Sequence, residues 1–253
     1  MITAMGGMGV EKIKRIAHRG FSAEAPENSK AAFALAAEGD FFGVECDVWK
    51  SKDGVYVISH DGNLSRMCGV DRFIPDTRFN EMQSFPFVRG RKRLSHPPQF
   101  PIALTVYLSL LARSEHTHPV VELKMDYTVV ELWEIVNLVK KYGLYDRTYF
   151  ISFYPAVLLR LKGEIGFPPE RLQYVYGATA ETKFRPVGVE LERWLIANRI
   201  HLDTRYTLLS LGNVMRLHAG GIQVNVWTVN RREDFFRMAR AGVDMVTTEY
   251  YLE

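Results

Sequence analysis

The chain has 253 residues, of which 47% are hydrophobic and 24% are charged, so it can bury a large core and is too apolar to be disordered. Its formal net charge is only +3, which argues against nucleic-acid binding because proteins of that class neutralise many phosphates. Two cysteines, Cys46 and Cys68, are too few to hold such a chain together by disulfides, and they favour a reducing, cytoplasmic location. No apolar run approaches the roughly 18 residues of a membrane span, so we expect no stable membrane insertion. The first ten residues lack the basic segment and long apolar core of a secretory signal.

Short runs rich in β-branched residues alternate with longer segments whose apolar residues recur every three or four positions, which is the pattern of βα units. Eight strands are predicted, at Lys14–Ala17, Gly43–Val48, Val120–Lys124, Thr148–Phe153, Leu172–Tyr176, Arg199–Asp203, Ile222–Thr228 and Asp244–Thr248. Seven helices are predicted, at Ser29–Glu38, Leu104–Arg113, Thr128–Tyr142, Pro155–Lys162, Gly188–Asn198, Leu208–His218 and Arg231–Ala241. Eight strands in about 250 residues predict an α/β fold, the (β/α)8 or TIM barrel.

The chain shows no internal repeat and no linker, so we expect a single domain over residues 1–253. Residues 61–101 do not fit the alternating pattern, because they are rich in turns and basic residues. They predict an insertion on the face of the barrel where the strands end, which is where barrel enzymes build their sites. The basic run at residues 89–93 reads as a solvated loop rather than a nucleic-acid surface, and it could line the approach for anionic lipid head groups.

A further strand-like segment, residues 55–60, follows the second strand too closely for a parallel crossover. The pair Asp53-Gly54 between them is a favoured two-residue hairpin turn. We therefore expect the second strand to extend beyond the barrel and to fold back antiparallel. This register places Asp47 opposite His60.

Acidic residues mark the ends of two strands expected to be neighbours. The two-residue period of a strand puts Glu45 and Asp47 on the same side, and Glu122 lies in the next barrel strand. Because buried carboxylates need compensation, we favour a bound cation over the alternative, hydrogen bonds to the backbone or to Arg19. The sequence has no Cys or His at zinc spacing, so these oxygen ligands favour Mg²⁺ or Ca²⁺.

Two histidines and two cations accompany the acids. His18 and Arg19 end the first strand, and the hairpin brings His60 to the same rim. Two imidazoles beside a metal ion suit acid–base chemistry on a phosphodiester near neutral pH. Three acids near one divalent ion leave little net charge, so Arg19 and Lys124 remain free to hold an anionic substrate.

Several separated motifs occur in a diagnostic order: IAHRGFSAEAPENSKAAF, then GVECDVWKSKDGVYVISHDGNLSRMCG, then VVELK. They resemble the glycerophosphodiester phosphodiesterase family, whose pattern is H-R, then E-x-D, then H-D. The later segments VNVWTVN and AGVDMVTTE extend the resemblance over essentially the whole barrel. The resemblance implies a metal-dependent hydrolase that cleaves small-molecule glycerophosphodiesters to glycerol 3-phosphate and an alcohol by acid–base-assisted in-line displacement.

The resemblance also implies a role for each residue at a matching position. These roles are metal ligand for Glu45, Asp47 and Glu122, acid or base for His18 and His60, and phosphate ligand for Arg19 and Lys124. Trp227 matches a strand-end aromatic residue that would cover the glycerol, the alternative being a packing residue at the barrel mouth. The sequence assigns no oligomeric state.

Some positions depart from the family pattern. Ser29 replaces Thr in P-E-N-T but keeps a hydroxyl for a helix N-cap, so we interpret that motif as chiefly structural. Tyr154 stands where Asp or Asn is usual, and Glu249 replaces Asp in the final T-D. The metal and histidine motifs are intact. Asp61 after His60 is expected to orient an imidazole, the alternative being a hydrogen bond to the turn that follows it. The departures therefore concern substrate choice more than chemistry.

Two alternative functions remain. A phospholipase D-type enzyme on the same barrel, such as a lysophospholipase D or a sphingomyelinase D-like protein, needs an apolar anchor at the mouth. The insertion offers only Phe85, Phe87 and Val88 with basic neighbours. A non-catalytic phosphodiester-binding protein would need a lost catalytic group, and the sequence lacks none.

Overall fold

The structure is a computed structural model that describes residues 13–177 and 179–252. The first ten residues, for which the sequence predicts no secretory signal, lie outside this range. The strands of the described chain are β1 (Lys14–Ala17), β2 (Gly43–Lys50), β3 (Tyr56–Ile58), β4 (Ile102–Ala103), β5 (His118–Leu123), β6 (Tyr149–Ser152), β7 (Leu172–Tyr176), β8 (His201–Arg205), β9 (Val224–Trp227) and β10 (Met245–Thr248). Its α-helices are α1 (Lys30–Glu38), α2 (Ser65–Cys68), α3 (Phe79–Met82), α4 (Leu104–Leu111), α5 (Val129–Lys141), α6 (Pro155–Gly163), α7 (Val189–Asn198), α8 (Leu211–Ala219) and α9 (Arg232–Ala241).

Eight parallel strands close into a barrel in the order β1-β2-β5-β6-β7-β8-β9-β10, and β1 pairs with both β2 and β10. Helices α1 and α4–α9 connect successive barrel strands. The predicted TIM barrel is therefore confirmed. The Ser29 hydroxyl accepts a hydrogen bond from Ala32 N at the start of α1, as expected of an N-cap residue.

Several predicted boundaries differ from the structure by a few residues, and two of the differences have a clear local cause. The strand predicted to begin at Arg199 begins at His201, because Arg199 adopts a left-handed conformation (φ 55°) that ends α7. The helix predicted to begin at Leu208 begins at Leu211, because the Ser210 side chain and Asn213 form a capping box there. Local capping chemistry therefore outweighed the apolar periodicity at both ends.

The hairpin of β2 and β3 is confirmed, but its predicted register is wrong by one residue. Gly54, at φ 83°, donates its N–H to Ser51 O (3.0 Å), so the loop has three residues rather than two. Asp47 consequently faces Ser59, whose N–H donates to Asp47 O (3.0 Å), rather than His60. His60 lies beyond the end of β3, outside the residues that pair with β2.

The short strand β4 was not predicted, and it pairs antiparallel with β3 outside the barrel. Residues 61–101 contain α2 and α3 and pack on the hairpin around an apolar cluster of their own. The buried members of that cluster are Val57, Leu64, Met67, Cys68, Ile74, Met82 and Phe87. The treatment of the chain as one domain with this insertion stays a prediction.

The main hydrophobic core lies between the barrel and the surrounding helices, and a smaller apolar cluster fills the barrel interior. The interior cluster consists of Ile16, Val120, Tyr149, Ile151, Val175 and Met245. It forms a floor beneath the carboxyl ends of the strands, where the polar site residues begin. No helix in the described ranges combines the length and hydropathy that a membrane span requires.

Candidate active site

A pocket of about 80 Å³ opens at the carboxyl ends of the barrel strands. Its lining residues are His18, Arg19, Glu45, His60, Glu122, Lys124, Ile151, Val175, Asp203, Trp227 and Thr247. Seven of the eight predicted site residues belong to this set. The eighth, Asp47, is 1% exposed and contacts the pocket through Arg19 and Lys124.

The turn after β1 is built to present its backbone to the acids. Arg19 takes a left-handed conformation (φ 56°), and its N–H donates to Glu45 Oε2 (2.8 Å). At Gly20 (φ 78°), a Cβ atom would lie 2.7 Å from the backbone of Ala32, so only glycine fits between the turn and α1. The His-Arg-Gly motif thus combines one reactive side chain with a turn that places an N–H donor in the site.

The three predicted metal ligands lie together. Glu45 and Asp47 point to the barrel interior while Cys46 packs in the outer core, and the register pairs Asp47 with Glu122 of β5. Each residue offers an oxygen within 4.8 Å of the other two. Glu45 Oε1 is buried and accepts no hydrogen bond from the residues that the structure describes. Burial, with the carboxylates of Asp47 and Glu122 nearby, raises the pKa of Glu45 well above its ordinary value. A hard divalent cation fits this donor set and would relieve the repulsion.

The two cations are not free, in contrast to the prediction. Lys124 Nζ lies 2.9 Å from Glu122 Oε1 and 3.1 Å from Asp47 Oδ1, and Arg19 Nε lies 3.5 Å from Asp47 Oδ2. Burial alone would raise the pKa of Asp47, but Lys124 and Arg19 outweigh burial and hold it well below its ordinary value. Buried acids attract the nearest cations. The contacts that the sequence left as the alternative to a metal ion, hydrogen bonds to the backbone or to Arg19, are therefore also present.

His18 is partly buried, and the Glu249 carboxylate lies near it. Its Nδ1 lies 3.8 Å from Glu249 Oε1. Burial, reinforced by the neighbouring Arg19, lowers the pKa of His18 although Glu249 acts in the opposite direction. His18 is therefore neutral near pH 7 and able to accept a proton. Glu249 also lies 3.2 Å from the Arg91 guanidinium, so this departure from the family pattern connects His18 to the basic run.

His60 reaches the same pocket from the segment that follows β3. Its Nδ1 is 2.8 Å from Asp61 Oδ1, which leaves Nε2 as the available nitrogen. Asp61 in turn accepts a hydrogen bond from Arg66 of α2. The hydrogen bond with His60, supported by Arg66, holds the pKa of Asp61 well below its ordinary value. The orientation predicted for Asp61 agrees with this geometry.

Sequence reasoning missed the contribution of the Pro-Glu-Asn segment. Glu27 binds Arg19 NH1 (2.8 Å) and accepts two hydrogen bonds from Arg66, while Asn28 Nδ2 donates to Asp47 Oδ2 (2.7 Å). Glu27 and Arg66 therefore link the His18 side of the site to the His60 side. The available signal was the motif itself, which was interpreted as structural.

Asp203 was also missed. It lies on β8 with 2% of its surface exposed, and its Oδ1 has no hydrogen-bond partner in the described chain. An acidic residue near the carboxyl end of a buried strand was the signal that identified Glu45 and Asp47, and it applied here equally. Tyr154, in contrast, does not line the pocket and packs its ring against Phe153 at 4.7 Å.

The comparisons agree with this geometry. Residues 18–252 match the glycerophosphoryl diester phosphodiesterase family. The chain belongs to that family. It is 28% identical over 241 residues to a glycerophosphodiester phosphodiesterase of Caldanaerobacter subterraneus subsp. tengcongensis, covering 92% of this chain and 93% of the relative. It is 25% identical to a lysophospholipase D of Rattus norvegicus, covering 94% of this chain and 83% of that protein.

Solved structures give the same result. A phosphodiesterase of Oleispira antarctica, determined in complex with the product sn-glycerol-3-phosphate, superposes with a TM-score of 0.81 at 25% identity. The superposition covers 94% of this chain and 93% of that one. This member of the glycerophosphoryl diester phosphodiesterase family is accordingly an enzyme of the phosphodiesterase class.

Proposed function

We propose that the enzyme hydrolyses glycerophosphodiesters to glycerol 3-phosphate and an alcohol by in-line displacement at phosphorus. The observation that carries this proposal is the convergence of two histidines, two cations and three carboxylates on one small pocket. The intact set of reactive groups also argues against a non-catalytic binding protein.

The cofactor in this proposal is one divalent cation, Mg²⁺ or Ca²⁺, held by Glu45, Asp47 and Glu122. When bound, it would neutralise the three carboxylates and stabilise the charge that develops on the phosphoryl group. Arg19 and Lys124 line the pocket beside these acids and would bind the phosphate oxygens.

The two histidines divide the proton transfers. His18, neutral because its pKa is lowered, would accept the proton of the attacking hydroxyl or water. His60, held by Asp61 through Nδ1, would donate a proton from Nε2 to the departing alkoxide. Each proton transfer is expected to contribute about 10²–10⁴ in rate.

The first prediction tests the proposal as a whole. The purified protein with Mg²⁺ or Ca²⁺ should release glycerol 3-phosphate from glycerophosphocholine and glycerophosphoethanolamine, and a chelator should abolish the release. The measurement is an enzymatic assay of glycerol 3-phosphate with each ion, with and without chelator. Turnover that is unaffected by the chelator would contradict metal dependence, and no turnover of any glycerophosphodiester would contradict the proposed function.

Lysophospholipase D activity is the second candidate, and one observation favours it. Leu94, directly after the basic run, is 85% exposed, and Phe184, between two basic residues after β7, is 79% exposed. Phe87, one of the apolar residues that the insertion offered as an anchor at the mouth, is instead buried. Lysophosphatidylcholine therefore belongs in the same assay, with choline release as the readout, and faster release than from glycerophosphocholine would favour this candidate.

The second prediction concerns Arg66, a positioning residue that joins Asp61 to Glu27. Arg66→Gln should lower kcat on glycerophosphocholine about tenfold, because the His60–Asp61 pair loses its support. The Arg66 side chain is 43% exposed, so solvent screens its ion pairs. The free energy of unfolding should therefore fall by less than about 1 kcal/mol, equivalent to less than about 4 °C in Tm. Kinetics and thermal unfolding of the variant measure the two effects separately.

Arg72→Gln is the matched control and should match the parent in both measurements. The Arg72 side chain is exposed and, within the described part of the chain, donates a hydrogen bond only to the carbonyl of its neighbour Asp71. An unchanged kcat in Arg66→Gln would show that Asp61 positions His60 without Arg66.

A further inference from the structure

The pocket has two unlike halves. The strands β2 and β5 and the segments after β1, β3 and β5 contribute the reactive residues. The strands β6, β7 and β9 contribute Ile151, Val175 and Trp227. Asp203 on β8 is the acidic residue within this apolar half. In the closed barrel, three strands separate β8 from β2 in either direction. Asp203 therefore faces the acid cluster from the opposite wall.

The polar atoms in the apolar half of the pocket differ in whether they have a hydrogen-bond partner. Thr247 is engaged by a hydrogen bond from Asn225 Nδ2 (3.1 Å). Asp203 Oδ1 and Trp227 Nε1 are buried and make no hydrogen bond within the described chain. A buried polar atom without a partner carries a substantial free-energy cost. Two such atoms lining one pocket indicate that a ligand supplies their partners.

We infer that Asp203 is a specificity residue that binds a free hydroxyl of the glycerol moiety, at the end of the substrate farthest from the phosphate. This inference rests on the proposed function and names what that site selects. With the phosphate between Arg19 and Lys124, the glycerol carbons extend across the pocket towards Trp227 and Asp203. Trp227 Nε1 would donate a second hydrogen bond to the same end of the glycerol moiety.

The chemistry of Asp203 suits a hydroxyl and excludes an ester. Burial, reinforced by the Glu122 carboxylate, raises the pKa of Asp203 well above its ordinary value. In its protonated form, which burial favours, the acid can both donate to and accept from a hydroxyl. An acylated or missing hydroxyl would leave the acid unpaired, and sites built this way reject such ligands strongly. The pocket is also small beside the roughly 300–1,000 Å³ of sites for larger ligands.

The third prediction is a change in ligand preference. Binding of sn-glycerol 3-phosphate and of n-propyl phosphate, which lacks both hydroxyls, is measured by calorimetry with saturating Mg²⁺ or Ca²⁺. The parent should bind glycerol 3-phosphate about 10–100-fold more tightly, the range expected for one buried polar group left unpaired. Asp203→Leu should remove most of this preference while keeping its affinity for propyl phosphate.

Two further variants make the test specific. Asp203→Asn retains a donor and an acceptor and should keep most of the preference, which also covers the case in which Asp203→Leu fails to fold. Thr204→Val is the matched control, because Thr204 is the next residue of β8, is buried and does not line the pocket. It should leave the preference unchanged.

Kinetics give an independent reading. Asp203→Leu should raise KM for glycerophosphocholine. The ratio of kcat/KM for glycerophosphocholine to kcat/KM for propylphosphocholine should fall by the same 10–100-fold. An unchanged preference in Asp203→Leu, or an equal loss of affinity for both phosphates, would overturn the inference. If no variant hydrolyses any phosphodiester but Asp203→Leu still loses the binding preference, the proposed function fails while the role of Asp203 stands.

Discussion

Replacing Glu45 with glutamine is expected to reduce kcat/KM on glycerophosphocholine by at least about 10³-fold, equivalent to about 4 kcal/mol of transition-state stabilisation. Glutamine keeps the size of the side chain and can still accept the Arg19 N–H, so the change removes charge and little else. Affinity for Mg²⁺ or Ca²⁺, measured by calorimetry, should fall at least tenfold. The two measurements together separate loss of the metal ion from loss of the fold.

The stability of this variant should move in the opposite direction to its activity. Burial and the neighbouring carboxylates raise the pKa of Glu45, which means that its ionised form costs free energy in the folded chain. In chelator, Glu45→Gln should therefore unfold at a Tm no lower than that of the parent. Glu38→Gln, exposed at the far end of α1, is the matched control and should leave all three measurements unchanged. Full chelator-sensitive turnover in Glu45→Gln would remove Glu45 from the ligand set.

The effect of replacing His60 should depend on the leaving group. His60→Ala is expected to lower kcat/KM on glycerophosphocholine by about 10²–10⁴, because its alkoxide leaving group needs a proton. A nitrophenolate leaves without one, so a nitrophenyl phosphodiester accepted by the pocket should be hydrolysed nearly as fast as by the parent. His18→Ala should be impaired on both substrates, since both need an activated nucleophile. Steady-state kinetics on the two substrates make the comparison.

His116→Ala, an exposed histidine before β5, is the control and should behave as the parent on both substrates. Equal losses on both substrates for His60→Ala would contradict its role as the acid. Rescue in His18→Ala instead would reverse the two assignments. The acidic limb of the parent pH profile provides a further check. His18 acts as a base only when neutral, and its pKa is lowered, so activity should fall as pH decreases below a midpoint under about 6.5.

Much of this site could be predicted from local sequence. The alternation of Glu45, Cys46 and Asp47 predicts which side chains face the barrel interior, because a strand has a two-residue period. The hairpin after β2 was predictable because the chain between the strands is too short for a crossover. Its register was not, since Gly54 adopts a positive φ and closes a three-residue loop through Ser51.

The ion-pair partners were less predictable. The sequence placed Lys124 near Glu122, but the pairing of Lys124 with Asp47 depends on how β5 lies beside β2. Likewise, Arg66 meets Glu27 only because the insertion packs against the turn after β1. Contacts of this kind join residues far apart in the chain, and no local periodicity encodes them.

The barrel, the hairpin and the same-face placement of Glu45 and Asp47 follow from local sequence, because alternating burial and turn chemistry act over a few residues. The position of Asp203 across the pocket from the acid cluster, and the lack of a hydrogen-bond partner for its Oδ1 among the described residues, follow only from the folded chain. Closure of the barrel sets which strands oppose one another. Whether a buried polar atom is satisfied depends on all of its neighbours in space, so it follows from the packed fold rather than from any segment of the chain.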